Sequence, residues 1–338
     1  MSVHNHSHSH GSQAGHWGPP TSSIDWCEDN YVWSYYIAEF FNSFSSFAMI
    51  ILGEAACYSI NRLQSDMQRM SDTTTTNNTT SGKTTNVAAP SLFRFKLAFR
   101  TITVVGVGSF LFHATLLHHM QMLDELPMLY SVLVLFFCLI ESRFGPQPSW
   151  FPKLLGVVGV VVTGLVAFTE GSIQFYSFHG TFGPLEFTTL FLIFKVYSAR
   201  KAAYPDIKWV FEAGIGLYVV AVAVWMTDLN FCESTLFSFL SFSSNHVRDD
   251  QLQKVDESSV AWIVKDLYLH AWWHILVSVG LFLLSTVIML DGLIVQGWKP
   301  LIEMRGWGWL PTVSVLEKTR RIDGSPSSPS SSSNSKDD

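Results

Sequence analysis

The sequence predicts an all-α membrane protein, a seven-transmembrane helix bundle with its N-terminus lumenal or outside and its C-terminus cytosolic. Three observations predict it. Hydrophobic residues make up 48% of the 338 and charged ones only 14%, with 26 Phe and 12 Trp, too little polar surface to clothe a soluble globule. The charges are clustered, leaving seven apolar runs at 34 to 59, 93 to 117, 123 to 142, 152 to 169, 173 to 198, 207 to 231 and 267 to 294. Runs of roughly 20 residues cross a hydrocarbon core of about 30 Å as helices, whose backbone groups are satisfied within the segment. Third, seven crossings put Arg62, Arg69, Lys83, Arg94, Lys96, Arg143, Lys153, Arg200, Lys201, Lys208, Lys299, Arg305, Lys318, Arg320 and Arg321 on or beside one face, and only Arg248, Lys254 and Lys265 on the other. That asymmetry sets the orientation. The net charge of −6 says little beside the placement of the positive charges; the bilayer is the partner expected, with no nucleic acid and no obligate protein partner inferred. The first 33 residues lack the apolar core of a cleavable signal peptide.

In chain order, residues 1–16, MSVHNHSHSHGSQAGH, are a polar His-rich tract read as disordered. Residues 17–310 form the membrane domain. Asp25, Glu28, Asn30 and Glu39 put four oxygen-bearing side chains near the start of the first span. Hard oxygen ligands favour calcium, and a carboxylate inside a membrane helix needs a partner that a cation supplies. The spacing is not that of an EF-hand loop, and an acidic helix-capping region is the competing reading. Residues 61–92, with SDTTTTNNTTSGKTTN, read as a low-complexity cytosolic loop. Pro127 falls in the first turn of the third span, where a missing N–H is harmless. His179 and Glu186 in the fifth run read as packing or hydrogen-bonded residues. Cys27 and Cys232 lie on the non-cytosolic side, where oxidation is allowed, and a disulfide between them would tie the N-terminal segment to the end of the sixth span. Cys57 and Cys138 read as small buried hydrophobes. Residues 232–265 are an outer loop, and 311–338 a disordered cytosolic tail.

The chemistry concentrates in GVGSFLFHATLLHHMQMLDELPM, residues 106–128, and in HAWWH, residues 270–274. Ser109 and His113 are four apart and share a helix face, as do His270 and His274. Under the predicted topology these four and Asp124 lie at one depth near the outer face. A lone membrane histidine is usually a hydrogen bond to a neighbouring helix. Three at one depth, beside a carboxylate and a hydroxyl, are the makings of a catalytic zinc site, three protein ligands with a fourth position open to water. His118 and His119 compete for the third ligand position.

The chain also resembles the alkaline ceramidases, seven-span intramembrane amidases. The resemblance rests on WGPPTSSIDWCEDNY with IAEFFNS, on GVGSFLFHATLLHHMQMLDELPM and on LHAWWH, in the family's order over most of residues 17–310. It implies zinc ligands His113, His270 and His274, catalytic residues Ser109 and Asp124, and a calcium site from Asp25, Trp26 through its backbone, Glu28, Asn30 and Glu39. It implies a ceramide-type lipid substrate and an endoplasmic reticulum or Golgi membrane. Trp273 and Phe182 are the candidate substrate contacts; Phe182 stands where relatives tend to have a tyrosine after the FH motif. In such a site Asp124 serves as general base and acid and Ser109 donates to the oxyanion. A hydrolase of another lipid amide or ester is the nearest alternative. A seven-span zinc receptor of the adiponectin-receptor type is a second, with the opposite orientation. A transporter fits poorly, because no paired broken helices or internal repeat are visible.

Overall fold

The computed structural model describes residues 15–79, 92–231, 267–304 and 311–318. Its helices are α1 Phe40–Ser45, α2 Phe47–Thr79, α3 Phe93–Thr115, α4 His118–Phe144, α5 Trp150–Ala167, α6 Gly171–Arg200, α7 Pro205–Phe231 and α8 Leu269–Val295. Strands β1 Trp298–Met304 and β2 Pro311–Lys318 follow as an antiparallel hairpin. Six helical stretches among the described residues are long and apolar enough to cross a membrane: the α1–α2 run and α3, α4, α5, α7 and α8. The remaining expected span, α6, has 30 residues, about 45 Å at 1.5 Å per residue. It carries Gln174, His179, Glu186 and Lys195 within that length, which separates it from the six by polarity rather than by size.

Several boundaries differ from the sequence reading. The first span does not end near residue 59: α2 continues to Thr79, so the first part of the expected 61–92 loop is helical. The third span starts at His118 rather than 123, which puts Asp124 in its second turn and Pro127 in its interior. Gly15 and His16 belong to the folded segment, where the His16 N–H donates to the Tyr35 carbonyl at 2.9 Å. Residues 311–318, expected to be disordered, pair as β2 with β1. In β2 Val313 and Val315 are buried between less buried Thr312 and Ser314, the period-2 pattern of a half-buried strand. The expected outer loop 232–265 and residues 319–338 lie outside the described residues.

Helix α8 is the axis of the bundle. Phe282, Leu283, Leu284, Val287, Ile288 and Leu293 are buried on several of its faces, as an enclosed helix requires, and it packs on α7, α2 and α4. Helix α5 is peripheral: Gly159, Val162 and Val166 turn inward while Val157, Val160, Val161 and Leu165 are exposed, an apolar outer face suited to lipid. At the end away from the candidate site, Arg94 pairs with Glu141. There too Arg200 Nε donates to Asp291 Oδ1 at 2.7 Å, and the Ser142 hydroxyl donates to Asp291 as well.

The approach of α3 to α4 has a specific cause. Pro127 has no N–H to give to the Leu123 carbonyl four residues earlier. That same carbonyl faces Gly108 of α3, where an added Cβ would lie 1.9 Å from the Leu123 oxygen and 2.8 Å from the Asp124 nitrogen. Only a glycine lets the two backbones meet there. Gly108→Ala must therefore push α3 away from α4, with an expected loss of about 1–3 kcal/mol as in overpacked cores, read as a lower unfolding temperature of the purified protein. An unchanged unfolding temperature would show that the contact is not as close as described.

Candidate metal centre and its surroundings

The candidate site lies at the end of the bundle where α3 stops and α4 and α8 begin. A helix leaves its last four carbonyls without internal partners, and here they point into the protein. The N-terminal segment supplies the donors. Glu39 N–H donates to the His113 carbonyl at 3.0 Å, Ala38 N–H to Ala114 at 2.9 Å, and Thr21 and Ser22 N–H to Leu116 at 3.0 and 3.1 Å. Leu116 ends α3 in the left-handed region, at φ 53°. The start of α4 lacks a side-chain cap of its own, and Thr21 Oγ1 accepts the His118 N–H at 2.9 Å. Residues 15–39 are thereby fastened across the end of the bundle.

Beneath that cover His113, His270 and His274 are all buried, with ligand atoms within 4.8 Å of one another; among the described residues they are the group of at least three His, Cys, Asp or Glu gathered closely enough to hold a metal ion. Ring centroids are 4.7 to 5.0 Å apart. His118 and His119 do not join them; His119 is exposed. Two of the rings are fixed from behind. His113 Nδ1 lies 2.5 Å from Glu39 Oε2, and His274 Nδ1 lies 3.1 Å from the Asn42 carbonyl and 2.8 Å from Ser45 Oγ. Carboxylate or carbonyl at Nδ1 leaves Nε2 as the ligand atom. His113 Nε2 is buried with no hydrogen-bond partner, an orphan that a metal ion would satisfy, so the donor set fits zinc. The third ring, His270, stacks on Trp26 at a centroid distance of 3.6 Å.

Ser109 Oγ is 3.3 Å from His274 Nε2 and accepts from Ser46 Oγ at 3.0 Å. Asp124 is carried to the same level by the Gly108 contact, because Gly108 precedes Ser109 and meets the Asp124 backbone. Its carboxylate is not one of the grouped ligand atoms.

The oxygen-rich residues also converge. Asn30 Nδ2 donates to the Asp25 carboxylate at 3.2 and 3.4 Å, while Asn30 Oδ1 is buried without a partner. Trp26 N–H and Asn42 Nδ2 donate to Glu39 at 3.2 and 3.0 Å. Glu28 takes the Phe41 and Asn42 N–H groups at 2.7 and 2.9 Å, capping α1 as the competing reading anticipated. Burial pushes its carboxyl up to about 7, although both N–H bonds pull the other way. Cys27 is disulfide-bonded; its expected partner Cys232 lies outside the described residues, and Cys57 and Cys138 are free and buried.

The two candidate substrate contacts occupy different clusters. Trp273 packs on the main core and neighbours Trp225 at 5.9 Å. Phe182 joins a smaller cluster between α4, α5 and α6, stacked on Phe178 at 5.3 Å. It is His179 that stacks toward Trp225, at 6.0 Å.

Two features escaped the sequence reading. Asp228, in the last turns of α7, is buried beside Cys27 and His270. A polar knot joins the N-terminal segment to α4 and α6: Ser23 N–H donates to Gln121 Oε1 at 2.9 Å and Ser23 Oγ to Gln174 Oε1 at 2.5 Å. Gln121 Nε2 donates to Ser23 Oγ and to Glu125 Oε1, both at 2.7 Å, and Gln174 Nε2 to Glu125 Oε2 at 2.5 Å. The spacing of Gln121 and Glu125 on one face of an apolar helix was the available signal.

Fold and site together define a multi-pass helical membrane protein with a buried three-histidine centre of metal-binding type at one end of its bundle. Residues 18–314 match the family described as Ceramidase, and the chain belongs to that family. It is 28% identical over 272 residues to alkaline ceramidase 3 of Mus musculus, covering 80% of this chain and 83% of the relative. It is 24% identical over 299 residues to an alkaline ceramidase of Arabidopsis thaliana, covering 88% and 94%. With an alkaline ceramidase of Drosophila melanogaster it shares 26% identity over 288 residues, covering 81% and 78%.

Gln121→Leu would strand the Ser23 N–H and one Glu125 oxygen. The expected cost is about 1–3 kcal/mol, with faster amide exchange at residues 20–25 than in the bundle; exchange unchanged there would mean the knot does not hold the segment.

Proposed function

We propose that the protein hydrolyses the N-acyl amide bond of ceramide, dihydroceramide or phytoceramide, giving a fatty acid and a sphingoid base, with zinc held by His113, His270 and His274. The observation that carries this reading is the meeting of three buried imidazoles from α3 and α8 in a chain of the ceramidase family. Zinc, when bound, supplies Lewis acidity and activates water near neutral pH.

The remaining roles belong to the chain's own residues. Glu39 and the Asn42 carbonyl hold His113 and His274 in the tautomer that offers Nε2. Ser109 Oγ lies 3.0 Å from Ser46 Oγ and 3.3 Å from His274 Nε2, and its hydroxyl donates to the oxygen that gains charge as the amide carbonyl is attacked. Asp124 takes the proton from the attacking water and returns it to the departing amine. The N-terminal cover excludes bulk water from that end, which strengthens each of these interactions. A site inside an apolar bundle suits a two-chain amide that resides in the bilayer. The Lys/Arg asymmetry supports an N-terminus on the lumenal or outer side, and hence a site near that face; the resemblance to the alkaline ceramidases supports an endoplasmic reticulum or Golgi membrane.

A calcium ion fits the second group, Asp25, the Trp26 carbonyl, Glu28, Asn30 and Glu39. The orphaned Asn30 Oδ1 and the gathering of carboxylates support it, since hard oxygen donors are what calcium takes. Glu39 touches both groups, which makes a calcium dependence of activity the natural expectation.

His113→Ala, His270→Ala and His274→Ala are each expected to abolish ceramide turnover with loss of zinc, and Asp124→Asn to abolish it with zinc retained. Ser109→Ala should cost roughly 10²–10³ in kcat. Turnover of purified protein with metal analysis checks all five, and full activity in any histidine variant refutes the metal site. For calcium, a selective chelator should slow the wild type, and Glu39→Ala should remove that sensitivity; a rate indifferent to the chelator counts against the second ion.

A further inference from the structure

Asp228 is 2% exposed, in the last turns of α7. Its carboxyl faces the backbone N–H groups of Cys27 and His270, yet neither oxygen reaches hydrogen-bonding geometry with them or with any other group. A buried carboxylate whose facing donors do not form well-aligned hydrogen bonds is costly. His270 has the complementary deficit, because its Nδ1 is buried without a partner.

The other two histidines have no such deficit. His113 Nδ1 has the Glu39 carboxylate, and His274 Nδ1 has the Asn42 carbonyl and Ser45. A metal-ligating imidazole nearly always gives its second N–H to a carboxylate or carbonyl, which fixes the ring and raises its basicity. Of the three rings His270 alone lacks that acceptor, and the carboxyl lying at its own backbone N–H has both oxygens idle. One hydrogen bond would satisfy both deficits.

We propose that Asp228 is the positioning residue of His270, its carboxylate accepting the Nδ1–H of that ring when the three-histidine cluster holds its metal ion, as Glu39 does for His113. The inference rests on the zinc reading of that cluster. It assigns α7, which contributes no ligand, a part in building the centre. The same carboxyl lies beside Cys27, between Trp26, which stacks on His270, and Glu28.

The test uses full-length protein in lipid nanodiscs, as wild type, Asp228→Ala and Asp228→Asn. Zinc affinity is read by chelator competition, calcium affinity by titration calorimetry, and ligand geometry by the absorption spectrum of the cobalt-substituted protein. In Asp228→Ala zinc should bind roughly 10–100-fold more weakly, the usual effect of removing such a partner, with calcium affinity unchanged and the cobalt spectrum altered. Asp228→Asn, whose amide oxygen still accepts, should fall between. Wild-type zinc affinity with an unaltered cobalt spectrum in Asp228→Ala overturns the proposal. So does a loss of calcium affinity with zinc binding intact, which would make Asp228 a ligand of the second ion. If Asp228→Ala does not fold, Asp228→Asn decides, and wild-type values for zinc and cobalt in it overturn the proposal. Wild-type protein that takes up no zinc defeats the metal reading of the three histidines itself, before any variant is compared.

Discussion

The last carbonyls of α3 cannot reach water and must find donors inside the protein, and the rest of the site follows from how that need is met. Glu39 and Ala38 give their N–H groups to His113 and Ala114. This sets Glu39 at the start of α1, where its carboxylate reaches His113 Nδ1. The same residue then receives the Trp26 N–H, which brings Trp26 over His270. Helix termination, ring orientation and the placing of the oxygen-rich loop are thus consequences of one capping arrangement. A buried carboxylate in the middle of it is tolerable only because each oxygen has donors.

A second backbone irregularity sets the other side of the centre. Pro127 frees the Leu123 carbonyl, Gly108 admits it, and α3 and α4 meet closely enough for Ser109 and Asp124 to stand on facing helices at one level. The residues proposed to handle the oxyanion and the proton are therefore carried by a pair of backbones in direct contact, a more rigid support than two helices joined through long side chains.

Much of this was legible in the residues. The i,i+4 spacings of Ser109 with His113 and of His270 with His274 name faces, and the apolar runs name helices, because both depend on local periodicity. The location of Asp124 at the site end also followed from counting crossings. What stayed hidden depends on partner choice across the fold. Nothing local distinguishes Glu28 as a cap for α1 from Glu28 as a ligand. Asp228 reads as one acid near a helix end until His270 is seen beside it. Gln121 and Gln174 acquire meaning only when Ser23 is brought between them, from 98 and 151 residues away. Pro127 reads as a first-turn proline because the apolar run starts at residue 123, whereas the helix begins at His118, held by Thr21 from another part of the chain.

The terminal hairpin carries a practical consequence. Trp298 is buried at 2% exposure and Val313 and Val315 pack into the main core, with β2 lying on α2. The chain that emerges from the last helix is therefore not a loose end but the clasp that closes the far end of the barrel of helices. Shortened versions prepared for crystallisation or microscopy should keep everything through Lys318, and an affinity handle or fluorescent fusion belongs beyond that point, where it leaves the clasp shut.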